Sequence, residues 1–378
     1  MDENKNQEPV VAPTVGDGQV VVDGAVKDIP TKTHWKPTKK QLVIGLVALV
    51  VVISGVVGVL ALQKKPAATP KKPVAKVAPL PKTVASNLTG LQVDPSVNQR
   101  PVTGVMIENS LESRPQSGLD QAGVVFEAIA EGGITRHLAL FQDTEPDHIG
   151  PIRSVRPYYA QWCLTFDCAI AHVGGSPEAL ANIPAWGVKD LDQFANGGSY
   201  VRVNDRYAPH NVYSSIAKLR ELETAKGYGV ATFTPLARKA DAPSKTPNAR
   251  SININISSPN FNSHYDWDAP SNAYKRSLAG APHMNVNGAG AQTQIAPKVV
   301  VAMVMPYGVA IDKHSSYGTI GSGQAYIFQD GVVTEGTWSK ADMKAQFAFT
   351  DGAGKPITLN AGQTWFVALG GAGNLNYQ

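Results

Sequence analysis

Residues 41–63, QLVIGLVALVVVISGVVGVLALQ, carry no charge over 23 residues, and no other feature constrains the chain as strongly. At 1.5 Å rise per residue, a helix of that length extends roughly 34 Å, enough to cross a hydrocarbon core of about 30 Å. A helix buried in a soluble domain would show a polar face, whereas this one is apolar all round. The expectation is a transmembrane helix. About 40 polar residues precede it, whereas a cleavable signal peptide starts at once and has a shorter apolar stretch. The run therefore reads as an uncleaved, single-pass signal-anchor.

Its flanks do not orient it. Lys27, Lys32, Lys36, Lys39 and Lys40 lie before the span, and Lys64, Lys65, Lys71, Lys72, Lys76 and Lys82 after it. The positive-inside count is nearly balanced. Residues 1–40 are polar and aperiodic and read as a disordered tail. Residues 64–97 read as a spacer. Its first part, KKPAATPKKPVAKVAPLPK, holds five Pro and six Lys, favouring extended polyproline geometry with a reach of roughly 60 Å. The net charge of +4 is concentrated in this N-terminal part: residues 98–378 hold 22 basic and 23 acidic residues. No nucleic-acid partner is expected from that balance.

From residue 98 onward the pattern becomes globular. Short apolar runs at 102–107, 124–126, 138–141 and 168–173 read as strands. Residues 154–165, 176–182 and 214–226 read as helices. This alternation predicts a mixed α/β domain over 98–238. The segment KADAPSKTPNAR, 239–250, reads as a linker. Residues 251–378 read as a smaller, mainly β domain, with β-rich runs at 299–305, 325–329, 332–338, 346–350, 356–359 and 364–369. Asp330-Gly331 and Asp351-Gly352 supply turn signals between them. The fold class is thus α+β behind a single transmembrane helix.

Cys163 and Cys168 are the chain's two cysteines, and no zinc-ligand spacing is present. A bridge between them needs Cα atoms within about 7 Å. The alternative is two buried side chains that never meet. A bridge would argue for an oxidising compartment.

Several polar residues are candidates for a site. Arg153 and Arg156, three apart in GPIRSVRP at an expected helix start, can project from one face and clamp a phosphate or carboxylate. Pairing with Glu108, Glu127, Glu131 or Asp143 is the structural alternative. Gly174, Gly175 and Ser176, directly after a strand, form either an ordinary helix-capping turn or a backbone anion site; Glu178 counts against the second. Glu127 and Glu131, four apart and followed by Arg136, could form an acid–base pair, with ion pairing to the arginines as the simpler reading. His172 lies four residues before Ser176, and His210 with Asn211 sits in RYAPHNVY. Each histidine is either a base or hydrogen-bonded scaffold. GxSxG, HExxH, Walker-type and dinucleotide motifs are absent, so no metal and no cofactor is expected.

The blocks RPVTGVMIENSLESRPQSGL, AGVVFEAIAEGGITRHLALFQ, IGPIRSVRPYY, AHVGGSPEAL, APHNVYSS, YKRSLAGAPHM and GSGQAYIFQDGVVTEGTW resemble the YerB-like family of bacterial extracytoplasmic lipoproteins, for which no function is established. The resemblance covers roughly residues 98–370. It implies two parts and an extracytoplasmic position, hence a cytoplasmic N-terminus with the folded part outside. It supplies no catalytic residues. Its matching polar positions here include Arg114 together with the site residues above. The chain departs from the family in its anchor, a helix where a lipidated cysteine would stand, and in Glu108, where Asp is expected.

Three functions follow as expectations. The first is a binding module for an anionic cell-envelope polymer. The second is a scaffold for another membrane or envelope protein, using small residues such as Ser54, Gly55 and Gly58 for helix packing. The third is an envelope hydrolase or transferase pairing His172 or His210 with Glu131 or Glu108.

Overall fold

From residue 84 onward, β-branched and aromatic runs alternate with turns marked by Gly, Pro and Asn, and the described residues answer with two main sheets, several two-stranded ribbons and three short α-helices. The computed structural model describes residues 38–40, 82–310 and 313–378. Residues 1–37 of the expected tail, the apolar run 41–63 and residues 64–81 of the spacer lie outside the described residues. Among the described residues, no helix is long and apolar enough to cross a membrane.

The first half of the folded region supplies strands β1 (Thr103–Glu108), β2 (Val124–Glu131), β3 (Ile134–Phe141), β4 (Ala169–Ala171) and β5 (Lys189–Asp190), with helices α1 (Pro157–Thr165), α2 (Pro177–Ala185) and α3 (Ile216–Ala225). The second half supplies β6 (Ser251–Ile254), β7 (Ser263–Asp268), β8 (Ala273–Leu278), β9 (Ala281–Pro282), β10 (Val299–Val304), β11 (Gly321–Gln329), β12 (Val332–Lys340), β13 (Ala348–Asp351), β14 (Thr364–Leu369) and β15 (Leu375–Tyr377).

Strands from both halves enter one ten-stranded sheet, in the order β13-β12-β11-β10-β14-β2-β3-β1-β4-β5. The junction is the parallel pair β14–β2, in register from Thr364↔Val124 to Val367↔Glu127. The segments 98–238 and 251–378 therefore complete each other's sheet within one compact unit, residues 79–378. A second sheet, β9-β8-β7-β6-β15, is antiparallel.

Alternation along the strands sorts the core into two layers. Met106, Phe126 and Leu138 pack with Tyr158, Tyr159 and Trp162 of α1 and Ile183 of α2. Val105, Val125 and Ala139 pack on the other side with Leu219 of α3 and Ile252, Tyr265 and Tyr274 of the second sheet. The result is a mixed, sheet-rich α+β fold. Local chemistry starts α2 and α3 within two residues of where expected and α1 three residues later. Ser176 Oγ accepts from Ala179 N, Ser215 Oγ accepts from Lys218 N, and Pro157 and Pro177 open their helices. Asp330-Gly331 closes the β11–β12 hairpin as a two-residue turn, both residues having positive φ.

Two segments read as connections are built into the fold. Residues 82–97 are folded: Leu88 is buried, and Ser86 Oγ donates to Asp143 Oδ1 (2.7 Å). Residues 239–250 are strapped across the β11–β12 turn. Lys239 Nζ lies 2.5 Å from Asp330 Oδ2, Ala242 N donates to Asp330 Oδ1, and Ala249 N donates to Gly331 O. Polar, proline-bearing composition does not separate a free linker from one whose donors are used by a partner distant in sequence.

Cys163 and Cys168 form a disulfide, with Cα atoms 5.1 Å apart. The chain leaves α1 through a turn in which Cys168 N donates to Cys163 O, which brings the two side chains together.

Candidate functional site

β1, β2 and β4 run in the same direction, and their carboxyl ends lie along one edge of the sheet, where open sheets commonly display binding groups. Most of the sequence candidates collect there. Arg136 on β3 is the cross-strand partner of Glu108 on β1. Its Nη2 lies 2.7 Å from Glu131 Oε1, and its Nη1 donates to Ser154 O. Arg156 Nη2 reaches the other oxygen of the same carboxylate, Glu131 Oε2, at 2.5 Å. Burial pushes the Glu131 carboxyl upward, but Arg136 and Arg156 outweigh it and hold the group below the usual range.

Arg153 and Arg156 do not form the clamp that a shared helix face would give. Pro157 holds the residue before it in extended backbone, so α1 begins three residues later than expected. Arg153 instead lies on an extended segment bonded to β1, its N donating to Met106 O. Each arginine has its own carboxylate. Arg153 Nε lies 3.2 Å from Glu108 Oε1, at an angle that makes an ion pair without a hydrogen bond.

Glu108 is buried, and its second oxygen meets His210 Nδ1 at 2.9 Å. Ser110 Oγ stands 3.3 Å from that same nitrogen. His210 is brought there by the 202–211 loop: Arg206 donates to Glu112 O and Pro115 O, and Arg202 Nη1 donates to Asn211 Oδ1. Asn211 thus holds the loop. Arg153 and His210 are the partly open members, with side chains 26% and 21% exposed. Two aromatic rings stand out to solvent nearby in the chain. Tyr207, 92% exposed, opens the turn that ends at His210 N, and Phe194, 74% exposed, lies with its ring edge 3.1 Å from where a Cβ on Gly174 would sit.

The glycine turn and His172 are committed to the fold. Gly174 N donates to Asp192 Oδ1, Ser176 N donates to Val155 O, and Ser176 Oγ caps α2. A Cβ on Gly175 would lie 2.8 Å from Val155 Cγ1, so close packing requires the glycine. His172 is buried with Nδ1 on Gly174 O (2.8 Å) and Nε2 on Asp190 Oδ1 (3.0 Å). Both ring nitrogens face oxygen acceptors, and neither turns to Ser176.

Glu127 and Glu131 do not pair. A β-bulge between Ile129 and Glu131 breaks the alternation that would put residues four apart on one face. Glu127 is fully buried, held by Arg276 Nη2 (2.9 and 2.8 Å to its two oxygens), Trp365 Nε1 (2.9 Å) and Thr135 Oγ1 (3.3 Å). Burial pushes this carboxyl up, but Arg276, His137 and Trp365 outweigh it and hold the group far below its ordinary range. Arg276 also meets His283 Nδ1 and Tyr265 OH, and lies 4.8 Å over the Trp365 ring. Local spacing carries no mark of Arg276 as the partner: it sits 149 residues from Glu127, in the other half of the folded region. Among the described residues, no cluster of His, Cys, Asp and Glu could hold a metal ion.

Comparison with known proteins agrees with this architecture. Residues 88–229 match the family described as "Protein of unknown function (DUF3048) N-terminal domain", and residues 252–366 match its C-terminal domain. The chain is 27% identical over 288 residues to a Bacillus subtilis (strain 168) protein named "Putative lipoprotein YerB", covering 75% of this chain and 86% of that protein. A crystal structure of the YerB protein from Bacillus subtilis superposes with a TM-score of 0.70 at 26% identity, covering 78% of this chain and 99% of that one. With both halves matched and the fold shared, the chain belongs to the YerB-like (DUF3048) family.

Proposed function

We propose that this chain is a membrane-anchored extracytoplasmic protein that binds an anionic component of the cell envelope, such as a phosphate- or carboxylate-bearing wall polymer. The observation that carries the reading is a gathering of basic side chains at one sheet edge. Arg136, Arg153, Arg156 and His210 converge on the carboxylates Glu108 and Glu131, with Glu112 acting on His210 through space, and Arg153 and His210 are partly open to solvent. A partly desolvated guanidinium is suited to phosphate or carboxylate. Tyr207, three residues before His210, adds an exposed aromatic ring.

The relative's name supports membrane association. In this chain both cysteines are joined in the disulfide, so neither is free to carry a lipid. The apolar run 41–63 then serves as the anchor, with the N-terminus cytoplasmic and the folded unit extracytoplasmic. The disulfide fits an oxidising compartment.

The test is cosedimentation of the full-length, solubilised protein with purified anionic wall polymer. Arg153→Gln combined with His210→Gln is expected to weaken binding by roughly tenfold or more, and raising salt should weaken the native protein too. Unchanged affinity in the double variant would sink the reading. One observation favours a second reading, hydrolysis. Glu108 holds His210 by Nδ1, the way an acid orients a general base, and no protein partner engages Nε2 among the described residues. Time-dependent release of polymer fragments, lost in His210→Gln, would put that reading first.

A further inference from the structure

The 109–116 loop carries an arginine that the sheet-edge cluster does not use. Arg114 Nε donates to Asn109 Oδ1 (3.1 Å), and Nη2 donates to the carbonyls of Asn109 (2.9 Å) and Asn260 (2.8 Å). The guanidinium lies 5.4 Å over the Phe261 ring. These contacts use the three N–H groups of Nε and Nη2. The two on Nη1 have no protein partner, and Arg114 forms no ion pair, among the described residues. Glu112 and Glu127 act on it only through space, while burial and the charge of Arg276 push it down to about 10. A cation held part-way out of water without a neutralising partner is costly, and it awaits an anion.

Arg114 faces such a space. It lines a pocket of about 370 Å³ together with Pro115, Leu278, Ala281, Pro282 and Met284, a volume within the roughly 300–1,000 Å³ of ligand sites. His283 also lines the pocket, but it brings no charge. Its Nδ1 faces Arg276, its Nε2 faces Gln116 Oε1, and burial and Arg276 hold it well below the usual histidine range. The pocket therefore combines the Arg114 guanidinium with mostly apolar walls, Gln292 being the other polar side chain besides His283. A doubly charged phosphate would leave most of its oxygens unpaired there, whereas a single carboxylate matches the two free N–H groups of Arg114.

We propose that this pocket binds a small organic carboxylate with an apolar body, its carboxylate on Arg114 Nη1 and its hydrocarbon against Pro115, Leu278 and Met284. The site is separate from the Arg153 cluster, so its failure leaves the wall-polymer reading intact.

Ligand-detected NMR titration of the full-length protein in lipid nanodiscs, against empty nanodiscs, decides the matter with hexanoate and its uncharged isostere hexanamide. Hexanoate is expected to bind roughly tenfold or more tightly than hexanamide. Arg114→Gln should erase that preference. Because Arg114 also clamps the loop, Ala281→Trp serves as a second variant: it fills the pocket from an exposed strand position and should abolish hexanoate binding. Equal affinity for acid and amide in the native chain, or full hexanoate binding in Ala281→Trp, overturns the proposal.

Discussion

Replacing Arg276 with methionine is expected to destabilise the folded unit by about 3–5 kcal/mol, the cost of stranding a buried charge. Glu127 and Arg276 are both fully buried and meet through two hydrogen bonds. Once the guanidinium is gone, the Glu127 carboxylate keeps only Trp365, Thr135 and the edge of His137. Burial lowers the pKa of His137, which opposes its taking up the lost charge. Removing both charges, Glu127→Leu with Arg276→Met, should recover most of the loss, since apolar groups filling a buried ion-pair site are often neutral in effect. Denaturant unfolding of the singles and the double gives the coupling directly. A single variant within about 1 kcal/mol of the native protein would mean the pair is not the buried tie described here.

The same geometry carries a consequence for the two halves of the chain. Glu127 belongs to the first and Arg276 to the second, and β2 takes β14 as its sheet neighbour. Residues 98–238 expressed alone would hold Glu127 without its cation and β2 with an open edge.

The second large effect depends on pH. Glu223 on α3 is fully buried; one oxygen accepts from Thr103 Oγ1 (2.9 Å) and the other has no partner. Burial pushes its carboxyl up to about 7 from 4.5, against smaller opposing effects of Thr103, Arg220 and Lys189. The folded state therefore keeps the proton more tightly than the unfolded chain. Its stabilising contribution is full below about pH 4.5 and is lost as pH rises through about 7. Glu223→Gln removes that titration. Relative to the native protein, the variant should gain about 3 kcal/mol between pH 4 and pH 9. The comparison between the two proteins cancels every other titrating group. Parallel stability curves across that range would show that burial leaves the Glu223 titration where it is in the unfolded chain.

Much of the local structure was legible in the residues. Ser176-Pro177 announces a capped helix, Asp330-Gly331 announces a two-residue hairpin, and the apolar runs mark strands, because caps, turns and alternation are set by neighbours a few residues apart. The sheet-edge candidates were also visible as types: Glu108, Glu131, Arg136, Arg153, Arg156 and His210 do gather. Their pairings were not. The arginine clamp failed because Pro157 delays the helix, and the acid pair failed because a bulge turns Glu127 inward. His172 and the Gly174–Ser176 turn, attractive as catalytic or anion-binding groups, are used up by Asp190, Asp192 and Val155.

The sequence by itself determined the apolar run of membrane-spanning length, the spacer composition, the α+β class and the types of group available for binding. Each of these follows from composition or from periodicity over a few residues. Only the tertiary structure decided that the two halves share a sheet, that Cys163 and Cys168 are bridged, that Glu127 takes Arg276, and that Arg114 faces a pocket without a counter-charge. Those facts depend on which residues distant in the chain become neighbours, and on how much water burial then removes from each charge.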